Sequence, residues 1–341
     1  MYTESDIDAA VAAGVLTPEA ATALRSFTAQ HRAGPAADEE HFRLLSGFND
    51  IFVAIAALLM LVAAGWLGGR VLPGGGGLAV AALSWGLAEI FTRRRRMALP
   101  SILLLLGFVG GVFTAAAGLV APTAADWFDN PDLRLAGCAA LTAGAAWLHW
   151  RRFMVPITFA AGTGAVLLSI AILLLSLFPA LRHAGMALPL LFTGGLATFA
   201  LAMWWDGRDR LRVTRRSDVA FWLHLGAAPL IVHPIFASLG VLDAEGAETG
   251  AAAIALATYL GLAAVALAVD RRALLVSALI YVFYAIGTLF KAAGTPGATW
   301  ALAALLIGSA LLMLSAFWQR ARRPVVSLLP AALQARLPPL A

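Results

Sequence analysis

Two histidines and two prolines share one apolar stretch of the sequence, where polar chemistry is otherwise scarce. His224 and His233 flank Pro229, and Pro234 directly follows the second histidine. A proline inside a helix removes a backbone hydrogen bond and leaves a carbonyl oxygen without its usual donor. Imidazoles that titrate near neutral pH beside such carbonyls could line a polar cavity or relay protons. The alternative is that each neutral imidazole bonds to a neighbouring helix and has a structural role only.

The spacing of the two histidines argues against a shared metal ion. On a straight helix, a separation of nine residues is about 13.5 Å and places the two side chains on opposite faces. Tyr281 and Tyr284, in a later apolar stretch, are possible neighbours of the pair. His149 ends another apolar stretch and is predicted to lie at a membrane interface. The sequence contains no familiar catalytic, metal-binding or nucleotide-binding motif, so we predict no catalytic residue, metal or cofactor.

The composition is that of a membrane protein. Of 341 residues, 61% are hydrophobic and 13% are charged, and the mean hydropathy is +0.85. A soluble domain has about a quarter of its residues charged, so this chain cannot cover a water-facing surface of its size. The net charge of +5 does not indicate nucleic-acid binding, because the arginines stand in short clusters between apolar stretches rather than on one basic face.

Ten apolar stretches are each close to the length of about 20 residues that a transmembrane helix needs. They predict an all-α, polytopic bundle with spans at 48–68, 76–92, 98–121, 133–150, 153–178, 187–205, 218–240, 250–269, 273–290 and 299–318. The continuous apolar runs exclude a β-barrel, whose strands alternate at period two. The shortest span, 76–92, follows a run of four glycines that lacks the lysine and serine or threonine of a phosphate-binding loop.

The loops between these spans predict the orientation of the chain. Alternate loops carry sixteen basic residues on one side and four on the other, and basic residues collect on the cytosolic side. The sparse side instead carries the acids Asp126, Asp129, Asp132, Asp243, Glu245 and Glu248. We therefore expect a bacterial cytoplasmic membrane protein with both termini in the cytosol, and the polar, acidic start predicts no signal peptide.

The arginine pairs also recur along the chain. Arg96 and Arg216 are 120 residues apart, as are Arg152 and Arg272. This spacing favours a leading pair of helices followed by two parallel four-helix units, a 2+4+4 organisation. The alternative is that hairpins of similar length recur without any internal duplication.

Three segments are predicted: a cytosolic helical segment at 1–46, the bundle at 47–319, and a basic, proline-containing cytosolic tail at 320–341. The first contains Ala-Gly-Val-Leu-Thr-Pro-Glu-Ala at 13–20, where Thr17 and Pro18 suit the start of a helix. This two-helix start ahead of an apolar bundle resembles an uncharacterised family of bacterial multi-pass predicted membrane proteins. The resemblance implies an inner-membrane bundle and no known activity.

Two functions fit these features. The first is a transporter or permease-like bundle for a small neutral or amphipathic solute, with the polar site beside the helix that carries both histidines. The second is a non-catalytic membrane scaffold or assembly factor that recruits partners through residues 1–46. An enzyme acting on lipids would need a catalytic group near the interface, and only His149 and His224 are conceivable. The expected partners are membrane lipids and a second copy or another membrane protein, without nucleic acid.

Overall fold

Every regular element in the described part of the chain is a helix. The computed structural model describes residues 4–32, 48–120, 133–210, 212, 214–240, 249–294, 297–335 and 337–340. The acidic loops at 126–132 and 243–248, and the predicted helix entering the first span at 38–46, lie outside these ranges. In chain order the helices are α1 (Glu4–Ala12), α2 (Pro18–Arg32), α3 (Phe48–Gly69), α4 (Gly75–Ala88), α5 (Ala98–Val120), α6 (Leu133–Phe153), α7 (Ile157–Leu177), α8 (Pro179–His183), α9 (Ala187–Asp206), α10 (Arg215–Ser238), α11 (Thr249–Val269), α12 (Ala273–Val276), α13 (Leu279–Ala292), α14 (Thr299–Ala316), α15 (Trp318–Ser327) and α16 (Ala331–Gln334).

Eight helices in the described ranges are long and apolar enough to cross a membrane, which supports a polytopic membrane protein. They are α3, α4 with its π-helical extension to Arg94, α5, α7, α9, α10, α11 and α14. Of the ten predicted spans, 133–150 and 273–290 are not among these eight. The helix α6 is long enough, but its three arginines and His149 lower its hydropathy. The second of these stretches is divided by a turn into α12 and α13, and α13 has only 14 residues.

One boundary differs clearly from the prediction. The span predicted to begin at 153 begins at Ile157, because Phe153 still belongs to α6. Met154 adopts a left-handed conformation, with φ of 55°, and Pro156 precedes the first helical residue. The proline has no N–H to donate, so it suits the start of a helix rather than its interior.

The arginine-rich turns meet at one end of the bundle, which we call the arginine-rich end; it comprises the turns at 93–97, 151–156, 207–214 and 270–272 and the start of α15. Contacts join these turns in succession: Glu89 with Arg152, Trp150 with Trp205 through the ring of Phe159, Asp206 with Arg271, and Asp270 with Trp318. The arginine-rich turns that these contacts join therefore lie at one end of the folded bundle, and the side of the membrane that this end faces stays a prediction.

A regular backbone feature marks this end. Arg96, Met154, Arg212 and Asp270 have φ between 52° and 61°, and each follows the previous one by 58 residues. At the opposite end of the hairpins the left-handed positions are glycines, at Gly185, Gly240 and Gly294. A left-handed residue with a side chain costs about 1–2 kcal/mol. The 58-residue interval is that of a single hairpin, and the grouping of hairpins into two four-helix units stays a prediction.

Glycine allows the backbones of α4 and α5 to approach closely. A Cβ atom added at Gly111 would lie 2.7 Å from both the amide nitrogen of Ala81 and the carbonyl oxygen of Gly77. The glycine run at 74–77 thus starts a helix that packs against its neighbour, as small residues commonly do in membranes.

The chain divides into two compact units, one of which spans Met1–Phe42 and the other Arg43–Pro339. In the smaller unit, α1 and α2 are joined by an ion pair in which Arg25 donates to Asp8 over 2.6 Å. The hydroxyl of Thr17 accepts a hydrogen bond from the amide of Ala20 and caps α2, as predicted.

Candidate functional site

Two deeply buried charges in the described bundle form an ion pair at the arginine-rich end. Asp206, the last residue of α9, is 3% exposed, and Arg271, which follows α11, is 1% exposed. The guanidinium donates from Nη2 to Oδ1 of Asp206 over 2.5 Å and from Nε to Oδ2 over 3.1 Å. Nη2 also donates to the carbonyl oxygen of Ser217 in the first turn of α10. One arginine therefore ties three successive hairpin helices together.

His224 adds a third member to this cluster, from the interior of α10. Its side chain is fully buried, and Nε2 lies 3.0 Å from Oδ2 of Asp206. The other ring nitrogen, Nδ1, has no hydrogen-bond partner among the described residues. A buried N–H without an acceptor costs more than a bare lone pair, so the hydrogen belongs on Nε2, where it donates to the carboxylate.

The Asp206–His224–Arg271 cluster is electrically closed. The carboxylate and the guanidinium neutralise each other, and a neutral imidazole leaves no net charge in the protein interior, where an unpaired charge is expensive. Both oxygens of Asp206 accept hydrogen bonds, and these bonds stabilise the ionised form of the carboxylate. Its geometry suits a lock between helices rather than acid–base catalysis.

A second cluster caps the end of α11 beside the first. The Nη1 of Arg212 donates to Oδ2 of Asp270 over 2.9 Å, and Nη2 donates to the carbonyl oxygens of Val269 and Asp270. Trp318 donates from Nε1 to Oδ1 of Asp270 over 2.7 Å. The last carbonyls of a helix lack donors and carry partial negative charge, so an arginine is well placed there. Arg212 and Asp270 are two of the left-handed residues, and their side-chain bonds offset the backbone strain.

The C-terminal segment is bound to the same end of the bundle. Arg322, in α15, is fully buried and donates to the carbonyl oxygen of Leu267. Its two terminal nitrogens donate to the carbonyl oxygens of Pro338 and Pro339 over 2.7 and 2.9 Å. The region predicted as a tail at 320–341 thus contains helix and an extended strap held by a buried arginine.

The residues of the sequence-predicted polar site are not gathered into one place. Whereas His224 bonds Asp206, the Nδ1 of His233 lies 2.6 Å from the hydroxyl of Tyr281. Tyr284 is 41% exposed and packs against Trp300 and Phe283. The helix α10 continues through Pro229 and Pro234, of which only Pro234 is buried. Tyr281 is the one predicted neighbour for which a histidine contact is found.

His149 is enclosed by protein side chains, and its position at the level of the membrane interface stays a prediction. It is 1% exposed and surrounded by the rings of Trp85, Phe108 and Phe153 at centroid distances of 4.6–6.1 Å. Nδ1 lies 3.3 Å from the hydroxyl of Thr158. The face of α6 that carries His149 packs against α4 and α5. His149 is therefore enclosed, although the nearby Arg151 and Arg152 are exposed.

Because His224 and His233 have separate partners, we expect their contributions to stability to be independent. The losses of unfolding free energy measured for His224→Leu and His233→Leu should sum to that of the double variant within about 0.5 kcal/mol. A double-mutant cycle by thermal or denaturant unfolding in detergent measures this. A coupling free energy well above that value would show that the two histidines belong to a single site.

The buried cluster could not be recognised from the arginine pattern alone. Arg212, Arg271 and Arg322 stand in the same clusters as exposed arginines such as Arg208 and Arg216, and all of them fit the rule for cytosolic loops. The sequence feature that could have indicated the buried cluster is the presence of aspartates near these arginines. Asp206, Asp209, Asp218 and Asp270 lie in or beside these basic turns, where each offers a partner for one arginine.

Within the described ranges, no three His, Cys, Asp or Glu side chains come together in a way that could hold a metal ion. Comparisons of the chain with models of protein families, with curated proteins and with solved structures found no match. The resemblance to a family of bacterial membrane proteins therefore stays a prediction.

Proposed function

We propose that this chain is a non-catalytic scaffold of the bacterial cytoplasmic membrane, with ten membrane-embedded helices, the arginine-rich end and both termini in the cytosol, and a recruiting segment at residues 1–46. The observation that carries the proposal is the closed Asp206–His224–Arg271 cluster. The polar side chains of this cluster bond to one another and connect neighbouring hairpins. Such a bundle is better suited to a structural role than to catalysing a reaction.

The proposed topology is supported by the contacts between successive arginine-rich turns, which lie together at one end of the described bundle. The positive-inside rule then assigns that end to the cytosol. The helices α6 and α12–α13, which are less apolar than the eight candidate spans, complete the count of ten. Each contributes a buried side chain to the packed interior, His149 from α6 and Tyr281 from α13.

The smaller unit supports the recruiting role. Its two short helices have their own ion pair and cap, but a unit of this size buries little apolar surface and gains stability when it docks on another surface. Val15, between the two helices, is 79% exposed. A cytosolic partner protein, or a second copy of the chain, is the expected occupant.

A permease for a small neutral or amphipathic solute is the second candidate. Two observations favour it: the Nδ1 of His224 is buried without a partner, and α10, which carries both prolines, is the most enclosed candidate span, with half of its apolar window buried. In this account the cluster would open and close a path instead of only holding helices together.

The two functions are separated by replacing the cluster with apolar residues. The triple variant Asp206→Leu/His224→Leu/Arg271→Met removes all charge without leaving an unpaired partner, and such replacements are often tolerated. Its folding is checked by thermal unfolding in detergent. Both this variant and a deletion of residues 1–35 are then tested for complementation of the growth phenotypes of a strain that lacks the chain.

The scaffold proposal predicts that the folded triple variant complements and that the deletion does not. The opposite result, in which the deletion complements and a folded triple variant fails, would reject the scaffold and favour the permease. Measuring the amount of each variant in the membrane ensures that a failure to complement is not a failure to accumulate.

A further inference from the structure

We propose that six arginines at the arginine-rich end form a binding site for the headgroup of an anionic phospholipid. This arginine patch consists of Arg93, Arg94, Arg95, Arg96, Arg151 and Arg152, all of which are exposed. It draws on two different hairpins, since the first four residues follow α4 and the last two lie at the end of α6. The inference is independent of the scaffold function.

One acid joins the two halves of the patch into a single surface. Glu89 accepts from Nη1 of Arg93 over 3.2 Å, and from Nε and Nη2 of Arg152 over 2.7 and 3.1 Å. The bidentate geometry fixes the position of Arg152 relative to the turn at 93–96. Among the described residues, Glu89 pairs with these two arginines, and Arg94, Arg95, Arg96 and Arg151 add further positive charge beside them.

The backbone holds this turn in a defined shape. A π-helix from Glu89 to Arg94 ends α4, and Arg96 has a φ of 52°. The amides of Arg95 and Met97 donate to the carbonyl oxygens of Ile90 and Phe91 over 3.0 Å each. Departures from α-helical winding cluster at functional sites, and here the winding gathers four consecutive arginines in one tight turn.

The surroundings of the patch select a lipid over a soluble anion. Exposed apolar side chains border the arginines: Ile90, Trp147, Leu148 and Met154 are 41–59% exposed. The guanidinium of Arg151 lies 5.0 Å from the ring centre of Trp147. Tryptophan and arginine at the end of an apolar helix mark the level of the headgroups. A molecule with a phosphate and acyl chains contacts both the charged and the apolar part of this surface, whereas a free anion contacts only the charges.

The test compares lipids and variants on the full-length chain in mild detergent. Native mass spectrometry measures the binding of phosphatidylglycerol and of phosphatidylcholine with the same acyl chains, with and without inorganic phosphate as competitor. The patch variant is Arg94→Gln/Arg95→Gln/Arg151→Gln, which spares the two arginines paired with Glu89. The matched control is Arg208→Gln/Arg215→Gln/Arg216→Gln, which removes the same charge from the same end and also breaks one tryptophan–arginine contact, that of Arg208 with Trp204.

We expect the wild-type chain and the control to bind phosphatidylglycerol at least about tenfold more tightly than phosphatidylcholine, because each arginine near an anionic headgroup contributes to the attraction. The patch variant should lose this preference, and millimolar phosphate should not compete. The proposal is overturned if the patch variant keeps the preference, if both variants lose it equally, which would indicate unspecific attraction to net charge, or if phosphate displaces the lipid, which would indicate a free-anion site.

Discussion

Replacing Asp206 by alanine is expected to lower the free energy of unfolding of the bundle by about 3–5 kcal/mol. The carboxylate accepts from Arg271 and His224, and both donors are almost completely buried. The variant leaves a guanidinium in the protein interior without its counter-ion. Since an uncompensated buried charge costs more than the pair contributes, the loss exceeds that for most single substitutions. Unfolding by denaturant in detergent micelles measures it.

Two variants show whether the effect arises from burial of the charge. Glu89→Ala removes another bidentate carboxylate–arginine pair between hairpins, but Glu89 and Arg152 are 30% and 41% exposed, so we expect a much smaller loss. In the double variant Asp206→Leu/Arg271→Met no charge is left unpaired, and most of the stability should return. If Asp206→Ala were as mild as Glu89→Ala, the cluster would not be buried in the way described.

The second large effect is expected at the interface of α4 and α5. Gly111→Ala should destabilise the bundle by about 1–3 kcal/mol, because the added methyl group meets the backbone of Ala81 and Gly77 and cannot be relieved by a side-chain rotation. Thermal unfolding in detergent gives the change. The neighbouring residue supplies the control.

Gly110 lies one position earlier in α5, is exposed, and has no atom within 4 Å of an added Cβ. Gly110→Ala is therefore expected to leave stability unchanged or to raise it by up to about 1 kcal/mol, since alanine favours the helix. Equal losses for the two variants would mean that α4 and α5 do not pack at this distance.

The sequence predicted the helices well where their apolar runs are long and rich in leucine and valine, as in α3 and α5. It was least accurate where the turn geometry decides the boundary. Met154 ends one helix and Pro156 precedes the next, a detail that hydropathy cannot resolve because Met154 and Val155 are themselves apolar. Hydropathy likewise does not predict the turn that divides the stretch from 273 into α12 and α13.

The site was predicted only in part because its partners are distant in sequence. His224 was identified from its unusual position in an apolar stretch. Its two partners lie on other elements: Asp206 ends the preceding helix, α9, and Arg271 lies in the turn that follows α11. Neither the hydropathy pattern nor the spacing of residues along α10 shows which residue of a distant turn contacts His224. His233 was grouped with His224 by proximity in sequence, whereas α10 directs it to Tyr281 instead.

The most direct test of the central claim, that the Asp206–His224–Arg271 cluster is a closed lock, is the accessibility of a cysteine beside it. Cys138 is the sole cysteine in the sequence, so Cys138→Ala gives a background without thiols. Ala228→Cys then places one on the face of α10 that carries His224, at a position that is 1% exposed, and Arg215→Cys provides an exposed control at the arginine-rich end. In native membrane vesicles, we predict that a water-soluble maleimide labels the control and leaves position 228 unlabelled until the protein is denatured. Labelling of position 228 at a rate close to that of the control would show that water reaches the cluster, and would contradict the lock.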